Sequence, residues 1–157
     1  MNSRVLYPQY GGASMIYSKI LVAYDGSLES EEAMKHAILL CEYFPGATLL
    51  VLHTFMLPTF MLGEAMIASS AEANAEAYAH AEAIVDNARV LIASTPNASV
   101  ELILGKAGET IVAQSKDRFF DLIVIGSRGI GGMRELMLGS VSHYVVQHAL
   151  IPVLVVK

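Results

Sequence analysis

Apolar positions along the chain fall into short continuous runs, and the stretches between them repeat with helical spacing. Lys19-Ile20-Leu21-Val22-Ala23 is the first run, and it leads into a turn at Tyr24-Asp25-Gly26-Ser27. Glu29, Glu31 and Glu32 then open a helix, where acids suit the positive end of the dipole. Ala33, Met34, Ala37, Ile38 and Cys41 recur at helical spacing until Pro45-Gly46 stops the pattern. Ala47 to Phe55 is a second apolar strand. Met56 to Ser70, which holds Pro58, Gly63 and three Met, reads as a connection or a partly helical insertion.

Tyr78, Ala81, Val85, Ala88 and Ile92 form one stripe within an Ala-rich amphipathic helix from Glu72 to Ser94, which ends before Pro96. A third strand covers Ser99 to Lys106, a short helix Glu109 to Arg118, and a fourth strand Asp121 to Ser127. A Gly-rich loop follows, then a helix from about Ser140 to Ala149 and a fifth strand from Pro152 to Lys157. Strands and helices thus alternate, and the strands are near-continuous Val, Ile and Leu. That combination predicts a single α/β domain: an open, doubly wound five-stranded parallel sheet with helices on both faces.

Composition changes this picture little. With 54% hydrophobic and 16% charged residues, the 157-residue chain is too apolar for a disordered one, and its length suits one domain. A mean hydropathy of +0.50 raises the question of a membrane span. No apolar run approaches the roughly 20 residues that a span requires, so no membrane is expected. Met1 to Ser18 carries Arg4 as its one positive charge and no continuous apolar segment. It reads as a flexible N-terminal leader rather than a secretory signal, with the domain occupying residues 19–157. Lys+Arg 10 against Asp+Glu 15 gives a net charge of −5, which argues against duplex nucleic acid as a partner. The single cysteine, Cys41, excludes an intrachain disulfide and points to a reducing, cytoplasmic setting.

Ligands of open α/β sheets bind beyond the carboxyl ends of the strands, at the switch in strand order. Two segments end there distinctively: Asp25-Gly26-Ser27, and Gly126-Ser127-Arg128-Gly129-Ile130-Gly131-Gly132 with Gly139-Ser140 beyond it. Glycines allow close backbone approach to a phosphate, and a helix start offers free N–H donors. Ser140 is placed to cap that helix and to donate its hydroxyl to a phosphate oxygen. Arg128 and Arg134 against Glu135 leave the loop slightly positive. Neither GxxxxGK[ST] nor GxGxxG after the first strand is present. What stands is Gly126-x2-Gly129-x9-Gly139-Ser140, after one strand and before a helix.

This string, with its surroundings, resembles the nucleotide-binding branch of the universal stress protein family, which carries G-x2-G-x9-G-[S/T]. The resemblance extends to Lys19–Ala23 with Asp25-Gly26-Ser27, Leu52-His53, Asp121–Gly129, Leu138-Gly139-Ser140-Val141 and Pro152–Val156. It implies strand order 3-2-1-4-5 in an adenine-nucleotide alpha-hydrolase-like fold. It also implies ATP, or ADP or AMP, with Mg²⁺ bound through the phosphates. Ala23 and Asp25 would approach adenine and ribose, and Thr54 would flank the base. Leu104 and Gly105 are further candidates for the base or ribose edge. Gly126, Arg128 and Gly129 would line the ribose and phosphate path, and Gly139, Ser140 and Val141 would hold the phosphates. The last strand, Val153 to Val156, would pair across a homodimer, which also protects an apolar edge.

Each residue has a plainer alternative. Asp25 either contacts ligand or shapes a turn with Gly26, and the glycine set either binds phosphate or is a loop with a helix cap. Arg128 is a phosphate contact or a solvated loop cation. His53, in an apolar strand, reads as a satisfied core histidine, and Cys41 as a packed thiol. His36, His80, His143 and His148 show no metal-ligand spacing. Met56, Met61 and Met66 form either a partner surface or core filler. Functionally, a dimeric ATP-binding regulatory protein with a role in stress response competes with a slow ATPase or nucleotidyl-transfer enzyme using the same pocket. No Lys follows the glycine loop and Asp25 is the one strand-end carboxylate, which favours binding over turnover, with at most slow hydrolysis.

Overall fold

A computed structural model describes residues 17–62, 65–130 and 138–157. The described elements run β1 (Lys19–Ala23), α1 (Leu28–Tyr43), β2 (Thr48–Phe55), β3 (Thr59–Leu62), β4 (Ala65–Ala68), α2 (Ala71–Leu91), β5 (Ala98–Leu104), α3 (Ala107–Asp117), β6 (Leu122–Gly126), α4 (Ser140–His148) and β7 (Val153–Val156). Five strands form one sheet in the order β5-β2-β1-β6-β7. All four pairings in it are parallel. Numbering these five strands alone turns the order into 3-2-1-4-5. From β1 the chain first moves one way, to β2 and β5, and then the other way, to β6 and β7, so the switch lies between β1 and β6.

Why the strands read as unbroken apolar runs follows from the two cores. Side chains of odd and even position in a strand point to opposite faces, and here both faces are covered. Ile20, Val22, Leu49, Val51 and Val124 join Met34 and Ala37 of α1 and Ala88 of α2 on one face. Leu21, Leu50, Leu52, Ile123 and Ile125 join Ile111 of α3 and Val145 of α4 on the other. Helix starts follow the sequence signals: the Ser27 hydroxyl accepts from Ser30 N–H, and the Ser70 hydroxyl from Ala73 N–H, each a side-chain cap.

Two expectations change. The stretch from Met56 to Ser70 is neither a plain connection nor partly helical. It holds an antiparallel pair, with Thr59 opposite Ala68 and Leu62 opposite Ala65. Met, Leu and Ala favour helix, but Pro58 and Gly63 leave no room for a stable one, and pairing satisfies the backbone instead. Residues 1–16 of the predicted leader lie outside the described residues, whereas Tyr17 and Ser18 at its end are fixed. Tyr17 packs edge-on against Phe44 at 5.8 Å between ring centroids. Ser18 donates from its N–H and hydroxyl to the Asp121 carboxylate at 2.8 and 2.7 Å, which ties the start of β1 to β6. No helix among the described residues is long and apolar enough to cross a membrane.

Candidate functional site

The carboxyl ends of β1, β2 and β6 open into a cavity of about 450 Å³, also lined by Arg128 to Ile130 after β6, by Leu138 and Gly139, and by the first turn of α4. This is the crevice that the strand-order switch predicts, and its size lies within the roughly 300–1,000 Å³ of small-molecule sites. Its floor is apolar: Ala23, Leu52 and Ile125 from the strand ends, with Ala107 and Ile111 of α3.

Asp25 sits where β1 turns into α1. Gly26 takes the turn at φ +82°, a conformation that costs glycine nothing. The Asp25 carboxylate uses one oxygen, Oδ1, to accept from Ser27 N–H at 3.0 Å and from the Ser27 hydroxyl at 2.6 Å. Its other oxygen, Oδ2, accepts from Ile130 N–H at 3.3 Å. Asp25 therefore shapes the turn and also ties the backbone at Ile130 to the end of β1. Gly129 lies against the same carboxylate, since a Cβ there would collide with Oδ2.

The loop closes at its base. Gly139 N–H donates to Ser127 C=O at 2.7 Å, and the Ser142 hydroxyl donates to the same carbonyl at 2.8 Å. Ser127 in turn donates its N–H to Val156 C=O at 2.6 Å. Gly139 is the N-cap of α4, with extended backbone and no side-chain cap, and Ser140 is the first helical residue. Ser140 thus does not cap the helix, contrary to the sequence expectation, because the glycine before it occupies the cap. The first bond of the helix runs from His143 N–H to Gly139 C=O. The N–H groups of Ser140, Val141 and Ser142 consequently have no acceptor within the helix, and they meet the cavity at its positive end.

Charge is sparse. Arg128 is the one Lys or Arg among the described lining residues. Its Nε lies 3.5 Å from Glu29 Oε1, in the first turn of α1. Gly126 explains how these segments approach so closely: a Cβ there would fall 2.8 Å from the Glu29 carbonyl carbon and 2.9 Å from its oxygen. Arg134 and Glu135 lie outside the described residues.

Ala23, Asp25, Thr54, Gly126, Arg128, Gly129, Gly139, Ser140 and Val141 all line this one cavity. Leu104 and Gly105 do not. Leu104 ends β5 and Gly105 follows it, at the sheet's far edge, two strands from β1. Gly105 N–H bonds to Phe55 C=O at 2.9 Å, and Thr110 Oγ1 crowds its α-carbon, so the pair serves the β5–α3 turn. Sequence reasoning missed Ser30, Ile111 and Ser142, which reach the cavity from helices. No local signal marks them, apart from the Ser142 spacing two residues beyond Ser140.

His53, expected as a satisfied core histidine, is buried and bonds through Nδ1 to Tyr24 C=O at 2.8 Å, so that nitrogen carries the proton. It also lines the cavity. Burial is the main cause holding its pKa below the ordinary 6.5, although the Tyr24 bond and Asp25 oppose it. In the unfolded chain His53 takes up its proton nearer 6.5, so the unfolded state binds more protons just below that pH. Stability should therefore be full above about pH 6.5 and fall as pH drops from there towards the lower folded value. Denaturation at pH 7.5 and 5.5 should show a smaller loss for His53→Gln than for the native chain. Equal losses would remove His53 as a contributor. Burial likewise raises the Cys41 thiol, which leaves it mostly protonated and poorly reactive.

The universal stress protein family model matches residues 16–157. The chain is 33% identical to the universal stress protein YxiE of Bacillus subtilis, an alignment covering 90% of this chain and 100% of that protein. Among solved structures it is similar to universal stress protein UspA from Lactobacillus plantarum, with a TM-score of 0.76, 26% identity, and 90% and 98% of the two chains covered. It shares its fold with a universal stress protein in complex with cAMP (TM-score 0.66, 22% identity, 90% and 98% covered). The same holds for one from Archaeoglobus fulgidus in complex with dAMP (TM-score 0.64, 22% identity, 91% and 100% covered). This chain belongs to the universal stress protein family.

Proposed function

We propose that the chain binds an adenine nucleotide, ATP with Mg²⁺ or its ADP and AMP relatives, in this cavity and acts as a dimeric regulatory protein. The observation that carries the reading is that the start of α4, where Ser140, Val141 and Ser142 have no acceptor for their N–H groups within the helix, lines the same cavity as Gly126, Gly129 and an apolar floor. Apolar walls suit a base, and free N–H groups at a helix start suit a phosphate. That two universal stress proteins of this fold are complexes with cAMP and dAMP supports adenine as the base. In this reading Ala23, Asp25 and Thr54 face base and ribose, Gly126, Arg128 and Gly129 the ribose and phosphate path, and Gly139, Ser140 and Val141 the phosphates.

Among the described residues no three His, Cys, Asp or Glu side chains gather to hold a metal. Asp25 already accepts from Ser27 and Ile130, so Mg²⁺ would enter on the phosphates and compensate their charge. The same commitment leaves Asp25 poorly placed to act as a base, which favours binding over phosphoryl transfer. For the dimer, β7 is an edge strand of apolar residues with Leu154 exposed, a surface that pairing with a second copy would cover.

Val141→Asp tests the site. A carboxylate in the first turn suits the helix dipole, so the fold should hold, but it meets the phosphates directly. ATP affinity by calorimetry should fall more than about tenfold, with the melting temperature unchanged or raised. Native affinity in this variant would remove the α4 start as the phosphate site. Phosphate release followed over hours, at many turnovers per minute, would instead favour an enzyme.

A further inference from the structure

Within the cavity Arg128 is the one described cation, yet its charge is already answered by Glu29. The pairing is not forced by packing. Both side chains keep some exposure, 36% for Arg128 and 25% for Glu29, and at 3.5 Å the contact is an ion pair rather than a short hydrogen bond. Glu29 is held where it is by its backbone, which Gly126 lets pass directly beneath the strand end. A negative charge therefore stands directly behind the one described lining cation, in a protein of net charge −5.

Resting on the adenine-nucleotide reading, we propose that Glu29 is a specificity residue that selects ligands by their phosphate charge. It competes with the ligand for Arg128, and it repels uncompensated phosphate at close range. Repulsion grows with the number of phosphate charges, so the effect is largest for free ATP, smaller for AMP and absent for adenosine. A divalent cation on the phosphates relieves it, which makes the site prefer metal-loaded over bare triphosphate without any protein ligand set of its own. The Glu29 carboxylate thus does for this cavity what Lys does, with opposite sign, in a glycine loop that ends in Lys-Ser/Thr.

The test is calorimetry on the full chain, native and Glu29→Gln, with adenosine, AMP and ATP, the last with and without Mg²⁺. The amide keeps size and position but removes the charge. Metal-free ATP should bind Glu29→Gln about tenfold more tightly than the native chain, AMP about threefold, and adenosine the same. The gain for ATP should shrink when Mg²⁺ is present, and again in 0.5 M salt. Glu31→Gln, in the same helix turn and beside Tyr24 rather than Arg128, should leave all affinities unchanged. An ATP affinity that is unchanged or weaker in Glu29→Gln, while adenosine still binds, overturns the inference and leaves the adenine reading intact. Absence of binding by adenosine and all the nucleotides to the native chain overturns both.

Discussion

Replacing Gly126 with Ala should destabilise the domain by about 2–3 kcal/mol, the cost of overpacking where the obstacle is backbone. The added methyl would stand 2.8 Å from the carbonyl carbon of Glu29, and no rotamer change can move a carbonyl carbon aside. Either α1 shifts as a body or β6 leaves its register with β7, where Gly126 pairs with Val156. Both motions disturb buried apolar contacts, because α1 contributes Ala33, Met34 and Ala37 to the core. Urea denaturation measures the loss directly, and a change under about 1 kcal/mol would mean that helix and strand separate freely here. In a domain whose total stability is on the order of 5–15 kcal/mol, the expected loss is large.

Asp25→Ala should cost less stability and more function. The carboxylate accepts from Ser27 twice and from Ile130 once, and alanine leaves those donors to water. With the site partly open, about 1–2 kcal/mol of stability should go. The loop loses its tie to β1, so the Ile130 amide should exchange with solvent faster and adenine-nucleotide affinity should fall about thirtyfold, the ordering of the loop now falling on the binding step. Asp25→Asn is the finer probe. An amide offers one accepting oxygen, so it can serve Ser27 or Ile130 but not both, and its effect should be intermediate. Native affinity in Asp25→Ala would show that the loop holds its shape without this contact.

The fold was legible because both faces of the sheet are covered, which makes each strand an uninterrupted apolar run bounded by turn residues. Parity within those runs, Leu21 to one core and Val22 to the other, needs only the strand period. The β3–β4 pair was not legible, since Met61, Leu62, Ala65 and Met66 favour helix individually and only their pairing with each other makes them strands. In the site, the glycine spacing and the strand-end Asp25 were readable because turns and helix starts demand particular residue types. Leu104 and Gly105, candidates through the family resemblance, lie apart from the other site residues because β5 is at the sheet edge, a position that no residue type reveals. The roles of Gly126 against the Glu29 backbone, and of Glu29 against Arg128, depend on distances between segments nearly a hundred residues apart. No local pattern carries those.

Amide chemical shifts of the isotope-labelled chain, recorded while AMP is added, test the central claim most directly. Saturable shifts should concentrate at Asp25, Thr54, Ser127 to Ile130 and Gly139 to Ser142, and GMP at equal concentration should produce weaker ones. Shifts that map elsewhere, or none at millimolar AMP, would contradict an adenine-nucleotide site at the carboxyl ends of these strands.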